Sequence, residues 1–362
     1  MIRRPLLLAS ALLAAFGLAG CKEEPAAPQA TAEPVQTFHW KMVTAWPKNY
    51  PGLGTAAERL AERVKAMSNG RLTIKVYAGG ELVPPLEVFD AVSRGTAELG
   101  HGAAYYWKGK VPAAQFFTAV PFGLSTSEMN AWLSKGGGQA LWDEAYAPYG
   151  VKPMVVGNTG MQMGGWYNKE INSLDDLKGL KIRMPGLGGE VLSKLGATTV
   201  NLPGGEVFTA LQTNAIDATD WVSPYNDLAF GLHKAAKFYY YPGWQEPQAV
   251  LELLVNQKAL DSLPADLQAI LTEAARAASQ DMLDDYVYHN AIALDELKQQ
   301  GTLLKRFPDD VLAAMQRESA VVLGELAAQS ELNGRIWASM QAFQAQVSQM
   351  HQLSEKELYN WR

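Results

Sequence analysis

The sequence predicts an α/β protein of two domains, and three observations carry that reading. Short runs with a two-residue apolar period alternate with runs of helical period through the first third of the chain, the grammar of a parallel sheet covered by helices. A later block, residues 158–186, sits between two further strand-like runs and ends on a breaker of its own. The 362 residues, 48% of them hydrophobic, suffice for two medium cores.

A first strand is expected over residues 38–45, followed by the turn-rich stretch 46–52. A helix follows from about 54 to 67, with Leu60, Val64 and Met67 at helical spacing and Ser68-Asn69-Gly70 as its stop. Residues 71–77 alternate as a second strand, and 86–93 form a second helix stopped at Gly95. Residues 99–107 then run to a strand end carrying Tyr105, Tyr106 and Trp107. Aromatic rings with polar tips suit the wall of a small organic site, and they equally suit packing on a helix. His101 reads as a local hydrogen-bonding group; His39, His233, His289 and His351 show no metal-ligand spacing.

The chain is expected to cross to a second domain near Gly157. In the strand 180–184, Leu180, Ile182 and Met184 alternate with Lys181 and Arg183, and Pro185-Gly186 breaks the run at once. Arg183 thus stands where a strand gives way to a glycine-rich loop, the place where open α/β sheets bind ligands. Residues 172–179 read as a short capped helical turn. Gly186, Gly188 and Gly189 lead into a helix over 190–195; such glycines can cradle an anion, but no Walker lysine or dinucleotide pattern accompanies them. A helix over 206–213 leads to 215–222, which puts Asp220 and Trp221 at a third strand end. A fourth strand, 238–241, precedes the turn that holds Glu246, and 250–256 returns to the first domain. From Pro264 the chain is mostly helical, with breaks at Gly301 and Pro308. Its last helix, about 333–352, carries Ile336, Met340, Phe343 and Val347 on one stripe, and a second copy is the expected cover for that face. The domain plan is therefore 38–157 with 251–290, then 158–250, then a C-terminal helical part, 291–362.

Residues 1–20 have the build of a secretory signal: Arg3 and Arg4, an apolar run over 6–18, then small residues. Leu18-Ala19-Gly20-Cys21 resembles a bacterial lipobox, so Cys21 is expected to be lipidated, with residues 21–37 as a tether rich in Ala, Pro and Glu. Cys21 is the only cysteine, which leaves no disulfide framework and no thiol for catalysis or zinc. Without Arg3 and Arg4 the side chains are 29 basic against 37 acidic, a net −8 that argues against nucleic acid or anionic lipid as a partner. There is no G-x-S-x-G and no H-E-x-x-H, so a hydrolase or lyase lacks its machinery and the reading is a binding protein, not an enzyme.

Five blocks carry a closer likeness: GELVPPLEVFDAVSRGTAELGHGAAYYWKGK, QFFTAVPFGLS, GNTGMQMGGWYNKEINSLDDLKGLKIRMPGLGGEVL, LPGGEVFTALQTNAIDATDW and PYNDLAFGL. They resemble the DctP-type solute receptors of TRAP transporters, the tripartite ATP-independent periplasmic family, and within it the branch that binds 2-oxo monocarboxylates such as pyruvate. The likeness runs over nearly all of the chain from Phe38 onward. It implies a type II-like periplasmic-binding-protein fold with a cleft that closes on ligand, a long helix crossing both domains, and often a homodimer made by a C-terminal helix. It further implies a periplasmic receptor that delivers solute to a small and a large membrane subunit, and a bound cation, sodium or calcium, that bridges protein and substrate.

The resemblance implies that, by position, Arg183 would clamp the substrate carboxylate, with Asn158 and Gln162 nearby. Gln162, Asp220, the backbone carbonyl of Trp221 and Glu246 would hold the cation. Two departures stand out: relatives often carry Glu in place of Asp220, and many diffuse freely where Cys21 points to a tether. The residue chemistry allows the reading. A 2-oxo acid offers a carboxylate oxygen and its keto oxygen to one hard cation, and a guanidinium meets a carboxylate bidentately. The plain alternatives are Arg183 paired with Asp175 or Asp176 at the surface, and Asp220 and Glu246 left in solvent. A sensor that signals through a partner is the alternative function.

Overall fold

The computed structural model describes residues 36–362. The secretory signal, Cys21 and nearly all of the tether lie outside the described residues. The strands, in chain order, are β1 (Phe38–Thr44), β2 (Leu72–Tyr77), β3 (Leu99–Gly102), β4 (Val151–Asn158), β5 (Gly165–Tyr167), β6 (Lys181–Arg183), β7 (Thr198–Val200), β8 (Ala218–Thr219), β9 (Phe238–Tyr241), β10 (Val250–Asn256) and β11 (Leu303–Arg306). They form two sheets. The first has the order β2-β1-β3-β10-β4, and the second β11-β9-β5-β8-β6-β7. In the first, β1 pairs in parallel with β2 and β3, whereas β10 runs antiparallel between β3 and β4. In the second, β6 pairs in parallel with both β7 and β8.

Strand β10 explains its central place by its composition: a nearly continuous apolar run, buried over Val250–Val255, is what a strand covered on both faces requires. The α-helices α1 (Leu53–Met67), α2 (Val88–Ser93), α3 (Thr126–Ser134) and α4 (Gly138–Tyr146) pack with this sheet; α5 (Gly186–Lys194), α6 (Gly204–Gln212) and α7 (Pro224–Phe230) belong to the stretch that builds the second. After α8 (Gln257–Ser262) comes α9 (Ala265–Gln299), 35 residues and so about 50 Å long. Its first half buries Leu267, Leu271 and Ala275 against Trp40, Val156 and Leu253 of the first sheet. Farther along, the Asn290 side chain caps the backbone N–H of Tyr225 on α7, at 2.9 Å.

Two expectations change in the C-terminal part. A strand, β11, lies between the breaks at Gly301 and Pro308, pairing in parallel with β9. This chain itself covers the first half of the stripe on α11 (Glu331–His351) and leaves Phe343 and Val347 half-buried. α10 (Asp309–Ala328) and α11 pack together. Ile336 and Met340 are buried, Trp337 stacks on Phe116 at 6.1 Å, Phe343 packs against the core, and Ser339 accepts from the Trp132 indole at 3.2 Å. Among the described residues no helix is long and apolar enough to cross a membrane.

One carboxyl lies inside the first core. Glu252, on β10, accepts from the Trp107 indole and from the Tyr146 hydroxyl at 3.0 Å, and burial pushes its pKa up to about 8 despite both donors. Because the folded value is raised, the stability that Glu252 contributes is fully present below its unfolded value and is lost as pH rises through about 8. Relative to Glu252→Gln, wild type should therefore lose stability between pH 5 and pH 9 in denaturant titrations. A constant difference across that range would contradict a protonated Glu252.

Candidate functional site

Strand ends from both sheets meet at one cavity, lined by Trp46, Leu53, Tyr105, Tyr106, Thr159, Gln162, Arg183, Trp221, Val222, Ala249 and Leu251. The space in it that a water-sized molecule can reach is only about 10 Å³, room for about one water. Tyr105 and Tyr106 come from the 3-10 turn Ala104–Trp107 that follows β3. Arg183 ends β6, and the register Arg183↔Thr219 brings Asp220 and Trp221 beside it as β8 ends. The Asp220 N–H donates to the Arg183 carbonyl at 2.9 Å, which fixes that juxtaposition.

Arg183 is 1% exposed, Asp220 0% and Glu246 3%. The surface alternative for Arg183 is thus excluded: Asp175 pairs with Lys178, and Asp176 caps the turn at Ser173. The guanidinium donates to the carbonyls of Leu202 (3.3 Å) and Asp220 (2.9 Å) and to the Tyr106 hydroxyl (3.5 Å), and the Trp221 ring covers it at 5.1 Å. A guanidinium has five N–H donors, so some remain for a ligand. Its Nη1 stands 3.7 Å from Asp220 Oδ2, near enough to attract and too far to consume that oxygen.

The acceptors around it are short of donors. Among the buried side-chain oxygens, Gln162 Oε1, Asp220 Oδ2, Gln245 Oε1 and Glu246 Oε2 have no hydrogen-bond partner. Buried polar atoms are nearly always paired, and these four acceptors, on residues beside Arg183, are a set that a bound cation would satisfy. Burial pushes Asp220 up to about 6, with Arg183 and Gln245 acting the other way. Burial and then the Asp220 charge push Glu246 well above the usual carboxylate range. Two carboxylates and two amide oxygens suit a hard cation such as sodium or calcium. Among the described residues no three His, Cys, Asp or Glu side chains cluster as metal ligands, so half of this oxygen set is amide.

Of the predicted residues, the structure brings Tyr105, Tyr106, Gln162, Arg183 and Trp221 to the cavity, with Asp220 and Glu246 coupled electrostatically to Arg183 behind it. Asn158 is not brought there. Its amide is spent on Asn130 (3.1 Å), Gln248 (2.9 Å) and the N–H of Gly160 (2.9 Å), so it braces the exit of β4. Sequence reasoning missed Gln245, which donates to Asp220 Oδ1 and to the Met163 carbonyl, both at 2.8 Å. The glycine run ahead of the expected helix is in fact the first turn of α5. At Gly188 a Cβ would stand 2.7 Å from Gln245 Cβ, so the glycine lets Gln245 approach. Trp46 was also missed; its indole donates to His101, whose pKa burial lowers to about 3, so the ring stays neutral and accepts.

The family model described as bacterial extracellular solute-binding protein, family 7 (DctP), matches residues 42–330. The chain belongs to that family. A relative from Nostoc sp., a monocarboxylate 2-oxoacid-binding periplasmic protein, is 45% identical over 324 residues, 89% of this chain and 88% of the relative. A TRAP periplasmic solute-binding protein of Pseudoalteromonas atlantica, solved with bound sodium and pyruvate, is 43% identical with a TM-score of 0.88, over 90% of this chain and 99% of that one. Another, from Colwellia psychrerythraea with bound calcium and pyruvate, has the same identity and TM-score over 90% of this chain and 100% of its own. The family 7 fold of two sheets with a helical C-terminal part is thus this chain's fold.

A cation that binds the folded form alone raises its melting temperature. Saturating calcium should therefore stabilise wild type in thermal melts, and Asp220→Asn or Gln162→Leu should lose that gain. The gain should shrink from pH 8 to pH 5, because Asp220 and Glu246 must shed protons to hold the ion and their raised pKa values keep those protons on at acid pH. Equal gains in the variants would place the ion elsewhere.

Proposed function

We propose that this chain is the extracytoplasmic receptor of a TRAP transporter and binds a pyruvate-like 2-oxo monocarboxylate together with sodium or calcium between its two sheets. One observation carries the reading: a buried guanidinium with donors to spare faces buried acceptor oxygens that have no donor. Arg183 takes the substrate carboxylate and fixes its plane, and Tyr105 and Tyr106 wall the site. Gln162, Asp220, Glu246 and the Trp221 carbonyl are the cation ligands, and Gln245 braces Asp220. The cation supplies a bridge to carboxylate and keto oxygens and offsets charge. With two acids, one substrate anion and Arg183, a divalent ion neutralises the set and a monovalent ion leaves one negative charge.

In this reading residues 38–157 with 251–290, and residues 158–250, are the lobes that close on solute, and a small and a large membrane subunit receive it. Cys21 holds the receptor at the membrane; Leu18-Ala19-Gly20-Cys21 supports that step. Binding is the function proposed, in keeping with relatives that are solute-binding proteins.

Calorimetry tests it. Pyruvate should bind wild type with calcium or sodium present and lose affinity once both are withdrawn. Arg183→Met should cost about 2–5 kcal/mol, as for buried charge pairs that lose one partner. Arg183→Lys should cost less yet blur discrimination between 2-oxo acids and simple carboxylates, since a lysine keeps the charge and cannot impose a plane. Binding by folded Arg183→Met within about threefold of wild type, under 1 kcal/mol, would move the carboxylate elsewhere.

A further inference from the structure

Every charged group that the site offers is buried, so a solute enters or leaves only when the two sheets part there. Whatever ties the sheets together at the cavity wall therefore bears on release. The tie begins at Tyr50, in the connection from β1 to α1. Its hydroxyl accepts from the Trp221 indole at 2.8 Å and donates to the Asn226 carbonyl at 2.7 Å. The Asn226 amide in turn donates to the Pro51 carbonyl at 2.7 Å, and its oxygen accepts from the Tyr286 hydroxyl of α9. Phe230 lies 4.2 Å from the Tyr50 ring and 4.8 Å from Trp221; Tyr50, Trp221, Asn226 and Tyr286 are buried, and Pro51 and Phe230 are half-buried.

Trp221 is thus held from two sides: its ring covers Arg183, and its N–H is fixed by a residue that comes from the first-sheet side. We propose that Tyr50 is a positioning residue that latches the site shut, its hydroxyl keeping Trp221 over Arg183 and setting how fast bound solute leaves. This rests on the reading that the cavity takes a 2-oxo acid. The physical reason is asymmetric. Without the hydroxyl, the Trp221 N–H and the Asn226 carbonyl lose that partner in the closed form, where no water reaches them; in the open form water replaces it. The population then shifts toward open, although Tyr50 itself does not line the cavity. The two Tyr50 hydroxyl bonds are buried and join uncharged groups, so salt does not screen them. At the rim the Lys108 to Glu190 pair, 2.7 Å apart with both side chains 39% exposed, is the opposite case: weak and screened.

Stopped-flow release of pyruvate, with calcium present and on the full chain, tests the latch. Tyr50→Phe should release pyruvate roughly tenfold faster or more. Association should be little changed, the factor should be the same for 2-oxobutyrate, and it should hold at low and high salt. Lys108→Met should change release by less than about threefold, and only at low salt. Amide hydrogen exchange over residues 220–226 without ligand should rise in Tyr50→Phe, a readout that needs no solute. If Tyr50→Phe does not fold, exchange of the Trp221 indole N–H in ligand-free wild type, followed by NMR, decides: strong protection supports the latch, and exchange at the rate of a free indole overturns it. Release within about twofold of wild type with unchanged exchange overturns the latch. Should wild type take up no pyruvate at all, the receptor reading fails, and the exchange measurement alone decides the latch.

Discussion

Arg183, Asp220 and Glu246 are three ionisable groups held out of water around one small cavity, and the cost of that burial organises what surrounds them. An isolated buried charge is unstable unless hydrogen bonds and counter-charges replace its hydration. For Arg183 the replacement is largely backbone: the carbonyls of Leu202 and Asp220, just past the ends of the short strands β7 and β8, accept from the guanidinium. Longer strands would have spent those carbonyls on the ladder. The parallel register of β6 with β8 thus places the charge and satisfies it in one step.

The carboxylates are treated differently. Asp220 keeps one oxygen on Gln245 and leaves the other unpaired, while Glu246 has an unpaired oxygen and a pKa raised first by burial and then by its neighbour. In the proposed site a proton and a cation compete for the same carboxylate oxygens, and Gln162 and the Trp221 carbonyl would add ligands without adding charge. A site so built stays near neutrality with either a monovalent or a divalent ion, in line with relatives solved with sodium and with calcium.

Much of this was legible in the sequence because breakers mark strand ends. Pro185-Gly186 after an alternating run located Arg183, and the run into Asp220 and Trp221 located the second strand end. What escaped depends on close packing between distant segments. Gln245 looks like an ordinary turn residue until α5 is seen to start at Gly186 and bring Gly188 against it. Glycines read as a loop on propensity, yet here they open a helix whose packing leaves no room for a Cβ against Met184 or Gln245. Strand β11, four residues between two breakers, shows no clean alternation. The stripe on α11 said that a face must be covered; only the structure showed that Phe116 and Trp132 are part of the cover. Asn158 kept its place in the chain, but three local hydrogen bonds turned it from the cavity into a brace.

The central claim is that the unpaired oxygens beside Arg183 are one cation site shared with the substrate. A crystal grown with calcium and pyruvate tests it most directly, through anomalous scattering from the ion. The account predicts a single calcium within about 2.3–2.6 Å of oxygens from Asp220, Glu246 and Gln162, with the pyruvate carboxylate on the Arg183 guanidinium. Pyruvate seated on Arg183 with no ion beside it, or calcium bound away from these oxygens, would contradict the account.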